Sequence, residues 1–237
     1  MNGILYKPEM INAIVENRKT VTRRLSGLKE LNQEPDKWEF MRMINNGKAA
    51  LFWVKADDPE PDDNKRSLVV KPRYHIGQTV YVKEAWRIIN PIGEYIHNPY
   101  DFGIEYLSVN HETKWWTDNG NIMNYPIDEK IHSSMFLPEK FARTFLKIVD
   151  VRAERLQEIT DDDVQKEGVF SDPVKWGDCC HVDAYIRLWD SINGKVKDPT
   201  YTLDDNSNRH YVKTVGEYCW VKNPWIWRYE FKKVETK

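Results

Sequence analysis

Residues 16–24, ENRKTVTRR, set four cationic side chains, Arg18, Lys19, Arg23 and Arg24, around two threonines. A lysine three positions before a threonine and beside further cations has its protonated form disfavoured by like charge, which moves its pKa toward a general-base range. In that state Lys19 can activate the Thr22 hydroxyl as a nucleophile, or a water that Thr22 orients. Arg23 and Arg24 each present a planar donor fork suited to phosphate, and strand alternation lets only one of them share a face with Lys19. The same cations also complement the negative end of a preceding helix, and TVT is ordinary strand material. The residues alone leave both readings open.

A second constellation lies in VKEAW, where Glu84 and Trp86 share a strand face. A carboxylate there can accept amino protons from a base edge beside a stacking ring; the alternative is a core tryptophan with a glutamate at its rim. The string CCH at 179–181 invites a metal reading, but adjacent ligands point apart and no C-x-x-C accompanies them. No metal site and no cofactor are expected, and neither a Gly-rich phosphate loop nor a Ser-His-Asp motif is present. The 35 Lys plus Arg nearly cancel the 37 Asp plus Glu, so any nucleic-acid contact must come from a local basic patch rather than a global field. Aromatics make up 13% of the chain; core packing is their default role and base stacking the alternative.

These residues need elements to hold them. GILYKP reads as a strand running to Pro8, which starts a helix whose apolar positions Met10, Ile11, Ile14 and Val15 recur at helical spacing up to about Asn17. The basic cluster therefore leaves a helix end as an extended segment. IGQTVYVKEAWRII is the clearest strand, with Val80 and Val82 on one face. In KFARTFLKIVDVRAERLQEI, Phe145, Ile148 and Val151 cannot share one face, which predicts a bulge or bend near Ile148 to Val149. ITDDDVQKEGV has a capping Thr160, acidic residues 161–163 for the positive end and Gly168 as exit, so a short helix is expected. HVDAYIRLWDSING reads as an amphipathic helix and NPWIWRYEFKKV as a closing strand. Two excursions, about 26–70 and 91–130, interrupt the core. The first carries the strand-like KAALFWVKA and the acidic DDPEPDDNKR; the second carries GIEYLSV and TKWWT as a hairpin or edge strands.

Strands outnumber helices without regular βαβ alternation, which predicts an α+β fold around a partly closed barrel. In the order ILYKPEMINAIVENRKTVTRRL, IGQTVYVKEAW, FLPEKFARTFLKIVDVRAERLQEITDDDVQKEG, LWDSING and NPWIWRYEF, the chain resembles the ASCH-domain proteins of the PUA-like superfamily, particularly the long forms of bacteria and their phages. The resemblance implies one domain over 1–237, a PUA-like mixed β-barrel with flanking helices, and a cleft for RNA, a nucleotide or a modified nucleoside. The acetylcytidine amidohydrolases of that superfamily carry a GRKT-x-T-x-R element and a late helical glutamate. Carried over, these imply Lys19, Thr22 and Glu167 as catalytic residues, with Glu167 holding the lysine or passing a proton to the leaving amine. Arg143 matches an arginine of the long forms and is implied as a further anion contact, with a surface ion pair as the alternative.

The functional expectation is thus a cleft protein acting on a nucleoside, nucleotide or RNA, extending to removal of an acyl group from a modified cytidine. A non-catalytic RNA or modified-base reader is the alternative, and a host protein as target is a third. No apolar run approaches a membrane span or a secretory leader, and three cysteines are odd in number, so a cytoplasmic, reducing setting without membrane contact is expected.

Overall fold

A computed structural model of the chain describes residues 1–55, 67–89, 101–107, 113–117, 130–172, 180–193, 201–203, 209–211 and 218–234. The elements in chain order begin with β1 (Asn2–Leu5), α1 (Pro8–Val15), β2 (Val21–Arg24), β3 (Trp38–Ile44), β4 (Ala49–Val54), β5 (Ser67–Val70), β6 (Thr79–Lys83) and β7 (Trp86–Ile89). They continue with β8 (Asp101–Tyr106), β9 (Thr113–Thr117), β10 (Phe145–Arg155), α2 (Asp161–Lys166), α3 (His181–Asn193), β11 (Tyr201–Leu203), β12 (Arg209–Tyr211) and β13 (Trp225–Val234). The protein is mixed α+β, mostly strands in several sheets with few helices; among the described residues no sheet closes into a barrel. No described helix is long and apolar enough to cross a membrane.

The described residues group into two compact units. The first takes the described residues of Met1–Asn17, Thr79–Lys147 and Lys232–Lys237. In it β1 runs parallel to β6, with Ile4 beside Val82, and β6 pairs antiparallel with the first residues of β10, Tyr81 opposite Phe145. Pro8 opens α1, whose Ile11, Ala13 and Ile14 are buried, and the chain leaves it through Asn17 in the left-handed region at φ 59°. The hairpin expected in the second excursion is β8 with β9, extended to a meander by β7. Trp86, Ile88, Phe102, Ile104, Tyr106, Leu137 and Phe141 form one apolar cluster there.

The second unit takes the described residues of Arg18–Gln78 and Ile148–Phe231. Its first excursion holds more structure than the single strand expected: β3, β4 and β5 form an antiparallel meander with a register shift between Phe40 and Arg42. Asn45, Asn46 and Gly47 all take positive φ to turn β3 into β4. The acidic DDPEPDDNKR lies outside the described residues. β2 pairs antiparallel with β13, Thr22 opposite Tyr229 and Arg23 opposite Arg228.

Strand β10 belongs to both units and changes faces along its length. Leu146 and Ile148 are buried, then Val151 and Ala153, so the inward parity switches across Val149 and Asp150, next to the expected bend. Glu154, on the opposite parity from Val151 and Ala153, is buried as well.

Asn32 pins β13 in the second unit. It is buried, its Nδ2 donates to the Trp225 carbonyl at 2.9 Å, and its Oδ1 accepts from the Trp225 N–H at 2.6 Å. Asn32→Ala strands both backbone groups, each worth about 1–3 kcal/mol when left buried without a partner. Urea unfolding is expected to show a loss of about 2–4 kcal/mol with an unchanged slope; a loss below about 0.5 kcal/mol contradicts the assignment.

Candidate functional site

The basic stretch meets the end of α2, 148 residues further on. Helix α2 is defined locally: the Thr160 hydroxyl accepts from the Asp163 N–H at 3.2 Å, three aspartates occupy the first turn, and Gly168 exits at φ 75°. Glu167 caps its C-terminus, donating its N–H to the Asp163 carbonyl at 2.9 Å. The segment after α1 then clasps that cap. Lys19 and Glu167 form an isolated antiparallel bridge, and the Thr20 N–H donates to the Lys166 carbonyl at 2.8 Å.

The clasp buries charge. Lys19 Nζ donates to Glu167 Oε2 at 2.5 Å and to the Glu167 carbonyl at 2.7 Å, with side-chain exposures of 2% and 6%. The other carboxylate oxygen, Oε1, accepts from Arg23 Nη1 at 3.2 Å. Arg23, wholly buried at its side chain, also donates Nε to Glu154 Oε1 at 2.8 Å. Its Nη2 lies 3.1 Å from Asp163 Oδ2, in ion-pair range but out of hydrogen-bond alignment. Arg152 and Arg228 reinforce from outside, donating to Glu154 Oε2 at 2.9 Å and Asp163 Oδ1 at 3.3 Å.

Burial lowers the Lys19 pKa below 10.5; Glu167 opposes this, while Arg24 and Arg23 add to it, and burial prevails. Burial also opposes ionisation of Asp163, but Arg23, Arg228 and Arg152 outweigh it and hold that carboxyl below 3.8. Tyr185, buried on α3, is pushed well above 10 by desolvation and by the negative charge of Glu167, so it stays a neutral phenol. The arrangement supplies a lysine whose neutral form is more accessible than usual, a carboxylate fixed against it, and an arginine that fixes the carboxylate. Those are the parts of an acid–base device.

The other expected residues fall as follows. Thr22 is buried in β2, where alternate side chains point to opposite faces, so it diverges from Arg23. Arg24 is partly exposed on the next position. Arg23, expected at an anion-receptive wall, is instead committed to three carboxylates. Glu84, Trp86 and Arg143 lie in the first unit. Glu84 is fully buried and accepts from Arg143 Nη2 at 2.7 Å and Nε at 3.1 Å, and the guanidinium sits 4.5 Å from the Tyr106 ring centroid. Arg143 is thus in an ion pair, but a buried one. Trp86 is 1% exposed and stacks on His132 with centroids 4.5 Å apart.

Glu154, Asp163, Arg228 and Tyr185 escaped the sequence reading. Asp163 carries a signal, an acidic residue in a first helical turn, but that signal points to the helix end rather than to Arg23. Among the described residues no group of His, Cys, Asp and Glu is placed to hold a metal ion. Comparisons with protein-family models, curated proteins and solved structures find no match to this chain.

Removing Arg23 takes one cationic partner from each of Glu154, Asp163 and Glu167, and breaking a buried ion pair typically costs about 3–5 kcal/mol. Arg23→Gln is expected to lower unfolding stability by about that much and Arg24→Gln by less than about 1 kcal/mol, measured in urea; equal small losses contradict the network. Asp163 has a folded pKa below its unfolded value of 3.8, so it contributes stability above that value and loses it as pH falls through the folded pKa. Asp163→Asn should flatten the acid limb of stability against pH, and an unchanged limb overturns this assignment.

Proposed function

We propose that this is a PUA-like, ASCH-type protein of the cytoplasm that acts on a nucleoside, nucleotide or RNA, removing an acyl group from the exocyclic amine of a modified cytidine. The observation that supports this reading is the buried Lys19 ammonium 2.5 Å from the Glu167 carboxylate, with its pKa lowered. In the reaction, neutral Lys19 takes a proton from the nucleophile as it attacks the acyl carbonyl. The carbonyl carbon gains an oxygen, the C–N bond breaks, and the leaving amine receives a proton returned through the Lys19–Glu167 pair. The divergence of Thr22 from Arg23 turns its hydroxyl away from the Glu167 side and favours water over Thr22 as the nucleophile. Arg23 serves by holding Glu167, and Tyr185 by adding a neutral dipole beside it.

Lys19 is 3% exposed, so substrate reaches it when the clasp between the basic stretch and the α2 cap parts. The same closure favours the second reading, a reader of RNA or modified bases without turnover, because both Glu167 oxygens are occupied internally.

Incubation with N4-acetylcytidine, followed by chromatography, separates the two. Deacylation is expected, with a loss of about 100-fold or more in Lys19→Ala as for removal of a general base. The rate should rise with pH through an ionisation below 10.5, the direction in which Lys19 is shifted. Turnover no higher than the Lys19→Ala control, with both folds intact by circular dichroism, removes the amidase and leaves the reader.

A further inference from the structure

The two clasped segments also build a surface. Arg18, Asp162, Gln165, Lys166 and Phe170 line an open depression of about 290 Å³. Arg18 immediately precedes Lys19 and Lys166 immediately precedes Glu167. Successive residues of an extended segment point to opposite sides, so Arg18 turns to solvent where Lys19 turns inward. The depression is therefore the outer side of the structure whose inner side holds the buried pair.

Its chemistry is of one kind. Phe170 is 46% exposed, whereas most aromatics among the described residues are buried. The Arg18 guanidinium carbon lies 5.6 Å from its ring centroid, and the ring meets His181 edge-on at 5.7 Å. A planar ring held by a cation on one side and an imidazole at its edge is a fixed stacking surface rather than a loose side chain. Arg18 and Lys166 supply two cations from the two different segments. Gln165 offers both a donor and an acceptor, and Asp162 an acceptor, for hydroxyl or base-edge groups.

We infer that this depression binds a nucleotide, with the base stacked at Phe170, the phosphate held by Arg18 and Lys166, and Gln165 and Asp162 directed to the sugar or base edge. The inference takes its ligand class from the nucleotide-directed reading above and adds the place and the residues. A ligand seated there touches both clasped segments without entering the buried cluster. Base–aromatic stacking tolerates any base, so the site discriminates nucleotide from nucleoside more than one base from another.

Isothermal titration calorimetry on the full chain tests it with 5′-CMP, 5′-AMP, cytidine, inorganic phosphate and a single-stranded RNA hexamer. CMP and AMP are expected to bind with similar affinity. Phe170→Ala should weaken both about tenfold while leaving inorganic phosphate unchanged. Arg18→Gln should weaken CMP about tenfold while leaving cytidine unchanged. A hexamer that binds more tightly than CMP assigns the nucleotide to a strand, and equal affinity assigns it to the free pool. Arg18 and Phe170 are both exposed, so the variants keep the fold, as circular dichroism will verify. The deacylation assay reads Lys19 whereas this titration reads Phe170 and Arg18, so a failed deacylation assay leaves this site standing. No CMP or AMP binding at millimolar concentration, or equal affinity in wild type, Phe170→Ala and Arg18→Gln, overturns it.

Discussion

Two cations buried side by side must be met by carboxylates, and much of the second unit is arranged to meet them. Lys19 and Arg23 are within two hundredths of complete side-chain burial, where an unpaired charge is heavily penalised. Glu167 answers both, one oxygen to each, and Glu154 and Asp163 answer the rest of Arg23. This fixes where three distant segments must lie: β2, the second half of β10, and the C-terminal cap of α2. Exact capping of α2 follows as a requirement, because a slip at Gly168 would rotate Glu167 away from both cations.

Such a cluster is expensive to bury and apolar residues would fill the same space at lower cost. Its measurable consequence is the lowered Lys19 pKa: desolvation disfavours the ammonium, Glu167 partly restores it, and Arg23 donates to the other Glu167 oxygen. The first unit offers a contrast. Its Glu84–Arg143 pair is equally buried but capped by the Tyr106 ring, and it sits beside a wholly apolar cluster. That pair reads as a structural tie, and Trp86 beside it as core.

Local signals in the sequence carried far. Pro8 placed the start of α1, Thr160 and Gly168 bounded α2, and the apolar alternation around Val80 and Val82 placed β6. The pairing of Lys19 with Glu167 followed from a resemblance, not from spacing, since nothing local links residues so far apart. What was not legible depended on tertiary geometry. Glu154 is buried on the parity opposite to Val151 and Ala153, where it meets Arg23 from a distant strand, and strand alternation would have left it at the surface. Strand β3 was hidden because WEFMRMI breaks strict alternation: Phe40 and Met41 are adjacent, and the register shifts between Phe40 and Arg42. Arg23 and Arg24 looked equivalent in sequence; one step along a strand separated a buried ion-pair hub from a partly exposed cation.

The central claim is that Lys19 is a buried base whose proton affinity is lowered by desolvation and partly restored by Glu167. Nuclear magnetic resonance titration of the Lys19 side-chain nitrogen, in wild type and in Glu167→Gln, reads this directly. The expected result is a Lys19 pKa below 10.5 in the wild type and lower still in the variant, where the carboxylate that favours the ammonium is gone. A wild-type value at 10.5 or above, or no movement on losing the Glu167 charge, would contradict it.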